Sequence, residues 1–147
     1  MNDWRTRLAK LVRVAERVEE LPEPLAYFHA SPASEGAWPG GLPPNPALRD
    51  FYPICDGGRI GSFEILPLAE VHPLIDDAPE AGTVDPGRCH VFGDVEIGFP
   101  LVWDGVNDCV GYYDRDSDEF QILSEQKPGM GPTLEGFFAY VLGRPED

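Results

Sequence analysis

Apolar positions recur at helical spacing from the start of the chain. Trp4, Leu8, Leu11, Val12, Ala15 and Val18 form one stripe, with arginines on the other face. The pattern predicts an amphipathic helix over 3–20, capped by Asp3 and stopped by Pro22. Basic amphipathic helices can bind membranes or partners, but this stripe is narrow and packing on the protein's own sheet is the expected use. Residues 21–28 read as a turn of helix or a strand. His29 to Pro44 is a Pro-, Gly-, Ser- and Ala-rich loop whose Trp38 either plugs the core or faces a partner.

The next stretch, Asn45 to Val71, organises the chain. Asn45 suits an N-cap and Pro46 the first helical position. Leu48, Phe51, Tyr52 and Cys55 then share a helical face, and Pro53 predicts a kink or a 3₁₀ turn. Gly57 is placed for a left-handed stop, with Gly58 leading out. Ser62 to Leu66 alternates as a strand, Pro67 ends it, and a second short helical turn follows.

From His72 to Arg88 the chain is irregular and acidic. Strands are then predicted over 90–97, 99–103, 109–114 and 119–123, separated by tight turns such as Asp104-Gly105 and Asn107-Asp108. Sequential strands with short turns imply an antiparallel meander. Phe99, Leu101 and Trp103 share one face, as do Phe120 and Ile122. Gln126 to Pro132 is a loop. The last element is a helix over 134–142, capped by Thr133, with Leu134, Phe137, Phe138, Val141 and Leu142 on its apolar face. Gly136 should weaken that helix by about 1 kcal/mol. No internal repeat stands out. The fold class expected for this single domain of 147 residues is α+β: a central, mostly antiparallel sheet flanked by N- and C-terminal helices.

Charge changes the picture. Eleven basic and 26 acidic residues give a net charge of −15. Residues 1–20 hold five of the bases and four of the acids, so the remainder carries six against 22, a net of −16. Such a surface repels nucleic acid and anionic membrane and speeds encounter with a basic protein; solubility alone is the bland explanation. Sixteen prolines imply long irregular connections. The first twenty residues contain no apolar signal segment, no run approaches a membrane span, and Cys55, Cys89 and Cys109 are odd in number and widely spaced. These features predict a cytoplasmic protein with reduced thiols.

Candidate chemistry is sparse. Asp114, Asp116, Asp118 and Glu125 have the spacing of a calcium loop, yet Glu119 stands where glycine is required and no helices flank it, so a hairpin turn is the better reading. Cys89, His90 and Cys109 lack the short paired spacings of zinc sites. No nucleophile motif accompanies His29, His72 or His90, and Gly57 to Gly61 lacks the lysine and following helix of a phosphate loop. No catalytic residue, metal or cofactor is assigned, and an enzyme is not expected.

A short helix ending in Asp56-Gly57-Gly58, a strand, Leu66-Pro67-Leu68, a meander and a final helix with Phe137 and Phe138 together resemble the SUKH superfamily. That group includes the yeast Smi/Knr cell-wall-synthesis regulators and many bacterial proteins. The likeness runs from about Leu42 to Leu142. It implies an α+β fold in which these motif residues are scaffold, not catalysts. It also implies a non-enzymatic immunity protein that occludes the active face of a cognate polymorphic toxin, often a nuclease. The alternative is a regulatory or scaffold domain in a larger assembly. On the immunity reading, the expected partner is a basic toxin domain. The candidate interface comprises Asp76, Asp77, Glu80, Asp94, Glu96, Asp104, Asp108, Asp114, Asp116, Asp118 and Glu119, with Trp38, Trp103, Tyr112 and Tyr113 as aromatic anchors. Tyr112 and Tyr113 face opposite ways, so one at most should be an anchor.

Overall fold

The computed structural model describes residues 4–15, 25–28, 38, 42–60, 63–76, 88–95 and 98–143. Helix α1 spans Trp4–Ala15, α2 Pro46–Phe51 and α3 Leu134–Gly143. The strands are β1 (Leu25–Phe28), β2 (Gly58–Ile60), β3 (Phe63–Ile65), β4 (His72–Pro73), β5 (Cys89–Asp94), β6 (Pro100–Asp104), β7 (Cys109–Asp114) and β8 (Glu119–Ile122). Seven lie in the order β1-β2-β3-β5-β6-β7-β8, and the two-residue β4 also pairs with β5. Every pairing is antiparallel. The α+β architecture read from the sequence is therefore the one observed, with the meander β5 to β8 running from the middle of the sheet to one edge.

All three helices contribute to one apolar cluster on one face of the sheet. Each supplies a ring to a continuous stack: Trp4 on Phe138 at 4.9 Å, and Phe138 on Phe51 at 4.7 Å. Phe137 turns toward the sheet and meets Phe63 and Phe92 edge-on at 5.2 and 5.8 Å. The other sheet face carries a smaller cluster of Leu74, Cys89, Val91, Val102 and Tyr113.

Arg5 departs from the expected outward placement of the α1 bases. Its guanidinium bonds Asp50 of α2 and reaches Glu135 of α3 at 2.6 Å. Glu135 also accepts from Trp4 Nε1 at 2.7 Å, so one carboxylate ties α1 to α3.

Asn45 caps α2, accepting from the Ala47 amide at 2.9 Å, and Thr133 Oγ1 accepts from Gly136 at the start of α3. The expected face of Leu48, Phe51, Tyr52 and Cys55 is buried. Residues 16–20 and the capping Asp3 lie outside the described residues. Two expectations are corrected. Gly58 opens β2, a strand not anticipated, because its chain pairs with both β1 and β3. The first meander strand begins at Cys89 and ends at Asp94, where Val95 turns to bond Phe99.

Candidate functional site

The two short motifs of the organising stretch touch each other. Asp56 Oδ1 accepts from the Leu68 amide at 2.8 Å, holding the 3₁₀ turn Leu68–Glu70 against the end of α2. Tyr52 Oη donates to the Leu66 carbonyl at 2.7 Å. Burial, and then the charges of Asp56 and Cys55, push the Tyr52 hydroxyl well above its usual range, so it stays a donor. Gly57 adopts φ +89°, and a Cβ there would come within 2.6 Å of the Ile65 carbonyl oxygen. The turn Pro67–Val71 bulges from the sheet between β3 and β4, which both pair with β5. Asp56, Gly57, Gly58, Leu66, Pro67 and Leu68 thus form one structural joint.

The hairpin turns decide which carboxylates face outward. Asp104 Oδ1 accepts from the Val106 and Asn107 amides, and its other oxygen meets Arg88 at 3.0 Å. Asp108, at φ 50°, accepts from Trp103 Nε1 and from the Leu134 amide. The next hairpin repeats the plan. Asp114 Oδ1 accepts from the Asp116 and Ser117 amides, and Asp118, at φ 54°, accepts from Tyr113 Oη at 2.6 Å. That hydrogen bond, with burial second, raises the Tyr113 hydroxyl above its usual range. An aromatic-Asp-x-x-x-Asp unit therefore occurs twice, a local repetition the sequence reading passed over. The calcium-like spacing at 114–118 is this turn chemistry, and among the described residues no group of three His, Cys, Asp or Glu could hold a metal ion.

Strand direction separates the candidate residues into two groups. Asp94, Asp114, Asp116, Asp118 and Glu119 lie where β5 and β7 end and β8 begins. Asp104 and Asp108 lie at the opposite end, roughly 15–20 Å away for strands of this length, so the candidates do not form one patch. Asp94 stands opposite Glu64, whose other neighbour is Arg59 at 3.9 Å. Asp76 closes the 3₁₀ turn Leu74–Asp76, and Asp77, Glu80 and Glu96 lie outside the described residues. Trp38 is half-buried against the main core, donates to Leu42 O at 2.9 Å and carries Arg49 over its ring at 5.6 Å. It packs as a partial plug of the core. Trp103 and Tyr113 are buried.

One coherent surface remains, at the β7–β8 turn. Tyr112 stacks on Phe99 with ring centroids 6.0 Å apart, both half-buried. Cross-strand register sets Gln121 opposite Tyr112 and Glu119 opposite Asp114. Asp116, Glu119 and Glu125 are exposed. Arg115 reaches the Gly98 carbonyl at 3.5 Å, linking this turn to the loop that carries Phe99. Sequence alternation grouped Phe99 with Leu101 and Trp103, but only the observed register brings it beside Tyr112. Both rings pack against the edge of the main core, and the exposed carboxylates lie at the same end of the sheet, a combination suited to a cationic side chain.

Of the cysteines, Cys55 and Cys89 are buried and Cys109 half-buried. Cys89 and Cys109 flank Asp104 in one cross-strand row, while His90 alternates to the other face, so the three do not converge. No helix among the described residues is long and apolar enough to cross a membrane. Comparison with models of protein families, with curated proteins and with solved structures finds no match to this chain.

Proposed function

We propose that the protein is a non-enzymatic binding protein that neutralises a basic toxin domain of a bacterial competitor by covering its active face. The observation that carries this reading is the half-buried Phe99–Tyr112 pair at the same end of the sheet as exposed Asp116 and Glu119, on a chain of net charge −15. Asp104, Asp114 and Asp118 spend oxygens on their own turns and Asp108 on Trp103 and the start of α3, while Glu119 accepts from Gln121 on its own strand and stays exposed. The contact surface is accordingly reduced to the β7–β8 end. Long-range charge would speed encounter, and the aromatic pair would supply burial once the partner is docked. The resemblance of the Asp56-Gly57-Gly58 and Leu66-Pro67-Leu68 motifs to the SUKH superfamily is what suggests an immunity role. A cytoplasmic location would place the protein where such a toxin acts.

The test is a pull-down from the source cells with the tagged protein, washed at low and then moderate salt. A single basic polypeptide that arrests growth when expressed alone, and no longer does so when co-expressed with this protein, would support neutralisation. A multi-protein assembly with no toxic member would instead favour a regulatory scaffold.

A further inference from the structure

His90 is a buried polar side chain outside the turns and the α2 joint. It sits on β5, only 4% exposed, and its Nδ1 has no hydrogen-bond partner. Buried polar atoms are nearly always paired, so an orphan in the middle of a sheet demands a reason. Its position supplies one. In the ladder His90 stands between Pro73 of β4 and Trp103 of β6. Pro73 has no amide hydrogen to give, and β4 is only two residues long, so its ladder with β5 consists of the pairs His72–Val91 and Pro73–His90, backed by Leu74 packed on Val91.

Among the described residues, the charged groups around this point are few. From β4, His72 faces β5; its Nδ1 lies 2.9 Å from the Glu70 carbonyl oxygen and must donate, since a carbonyl only accepts. On β6, Asp104 is the residue after Trp103 and alternates to the opposite face, where Arg88 and its own turn hold it. Cys89, beside His90 on β5, also lies on that opposite face. Asp108 is engaged by Trp103 and the start of α3. None of these carboxylates bonds His90 Nδ1.

We propose that His90 is an acid-sensitive latch: its neutral ring lets β4 and the following turn dock on β5, and its protonation releases them while β6, β7 and β8 stay paired. Burial first, and then the neighbouring His72, hold His90 below the ordinary histidine range. The folded protein therefore binds this proton less readily than the unfolded chain. Stability from docking is complete above the ordinary value near 6.5 and is lost as pH falls below it. Release also uncovers Leu74, which is fully buried against Val91, Val102 and Tyr113. The device is thus a conditional exposure of the second apolar cluster.

Amide hydrogen exchange on the full chain, resolved by NMR and corrected for intrinsic rates, tests the latch. Between pH 7.5 and 5.0, protection at His72, Leu74 and Ile75 should be lost progressively as His90 takes up its proton, while Leu101, Val102 and Val110 hold theirs. His90→Phe should abolish the fall. Should that variant not fold, His90→Gln, which cannot take up a proton, serves in its place. His72→Gln should retain it, since burial is the larger cause. Equal protection at the two pH values, or a fall that persists without His90, would overturn the proposal. So would an imidazole titration of His90 at or above the ordinary value, a measurement that needs no variant.

Discussion

Trp103 Nε1 donates to Asp108 Oδ1 at 2.9 Å, and the same oxygen accepts from the Leu134 amide at 3.2 Å. One carboxylate thus closes a hairpin, satisfies a buried indole and holds the first turn of α3. Its residue sits at φ 50°, where Asn is tolerated and Ala is strained. Asp108→Ala should cost about 2–3 kcal/mol, from the lost hydrogen bonds and the backbone strain. Asp108→Asn keeps an acceptor and should cost less than half of that. Urea denaturation of the two variants measures the difference. In the repeated unit, Tyr113→Phe should cost about 1–2 kcal/mol, since only one hydrogen bond is lost.

The joint between α2 and the Leu68–Glu70 turn predicts an order of severity. Asp56→Ala removes a cap from the Leu68 amide and should cost about 1 kcal/mol. Gly57→Ala meets both positive φ and backbone atoms of Ile65, Leu66 and Pro67 within 3 Å, which cannot shift cheaply. It should cost at least about 2 kcal/mol more than Asp56→Ala. Thermal melts of the two proteins check the ranking.

Gly136 gives opposite signs at two levels of reasoning. Helix propensity alone predicts that Gly136→Ala stabilises α3 by about 1 kcal/mol. The structure places the Gly131 backbone 2.8 Å from the added Cβ, so the Gln126–Pro132 loop would have to move off the helix. The expected outcome is destabilisation by about 1–3 kcal/mol, read from the shift in denaturation midpoint at unchanged slope.

Burial, followed by the charges of Asp104, Glu125 and Asp108, raises the Cys109 thiol above its ordinary value. Less thiolate is present near neutrality, and alkylation should be slower than for a free thiol. Iodoacetamide labelling followed by mass spectrometry should modify half-buried Cys109 ahead of the buried Cys55 and Cys89. Raising the pH should increase its labelling rate through and beyond the ordinary thiol range.

Periodicity made the regular elements legible. The stripe of Trp4, Leu8, Leu11 and Val12 and the face of Leu134, Phe137 and Phe138 mark the core sides of α1 and α3, and all seven are buried. The turn residues around Asp104 and Asp114 located two hairpins. What pattern could not supply is pairing between distant strands. Only register shows that β3 and β4 share one side of β5, that Phe99 comes beside Tyr112, and that Asp104 and Asp94 lie at opposite ends of the sheet. Counting carboxylates could not show, for a related reason, that four of them bond backbone amides or aromatic side chains nearby. Arg5 was misplaced because a helical wheel does not show Asp50 or Glu135 waiting on the neighbouring helices.

The central claim is that the β7–β8 end binds a basic toxin domain, and growth protection tests it most directly. A toxic basic polypeptide recovered with the wild-type protein would be co-expressed with wild type, with Asp116→Lys/Glu119→Lys, and with Arg49→Glu as a charge change away from this surface. The account predicts protection by wild type and Arg49→Glu, and loss of protection by the double variant at equal soluble expression. Undiminished protection by Asp116→Lys/Glu119→Lys would contradict it.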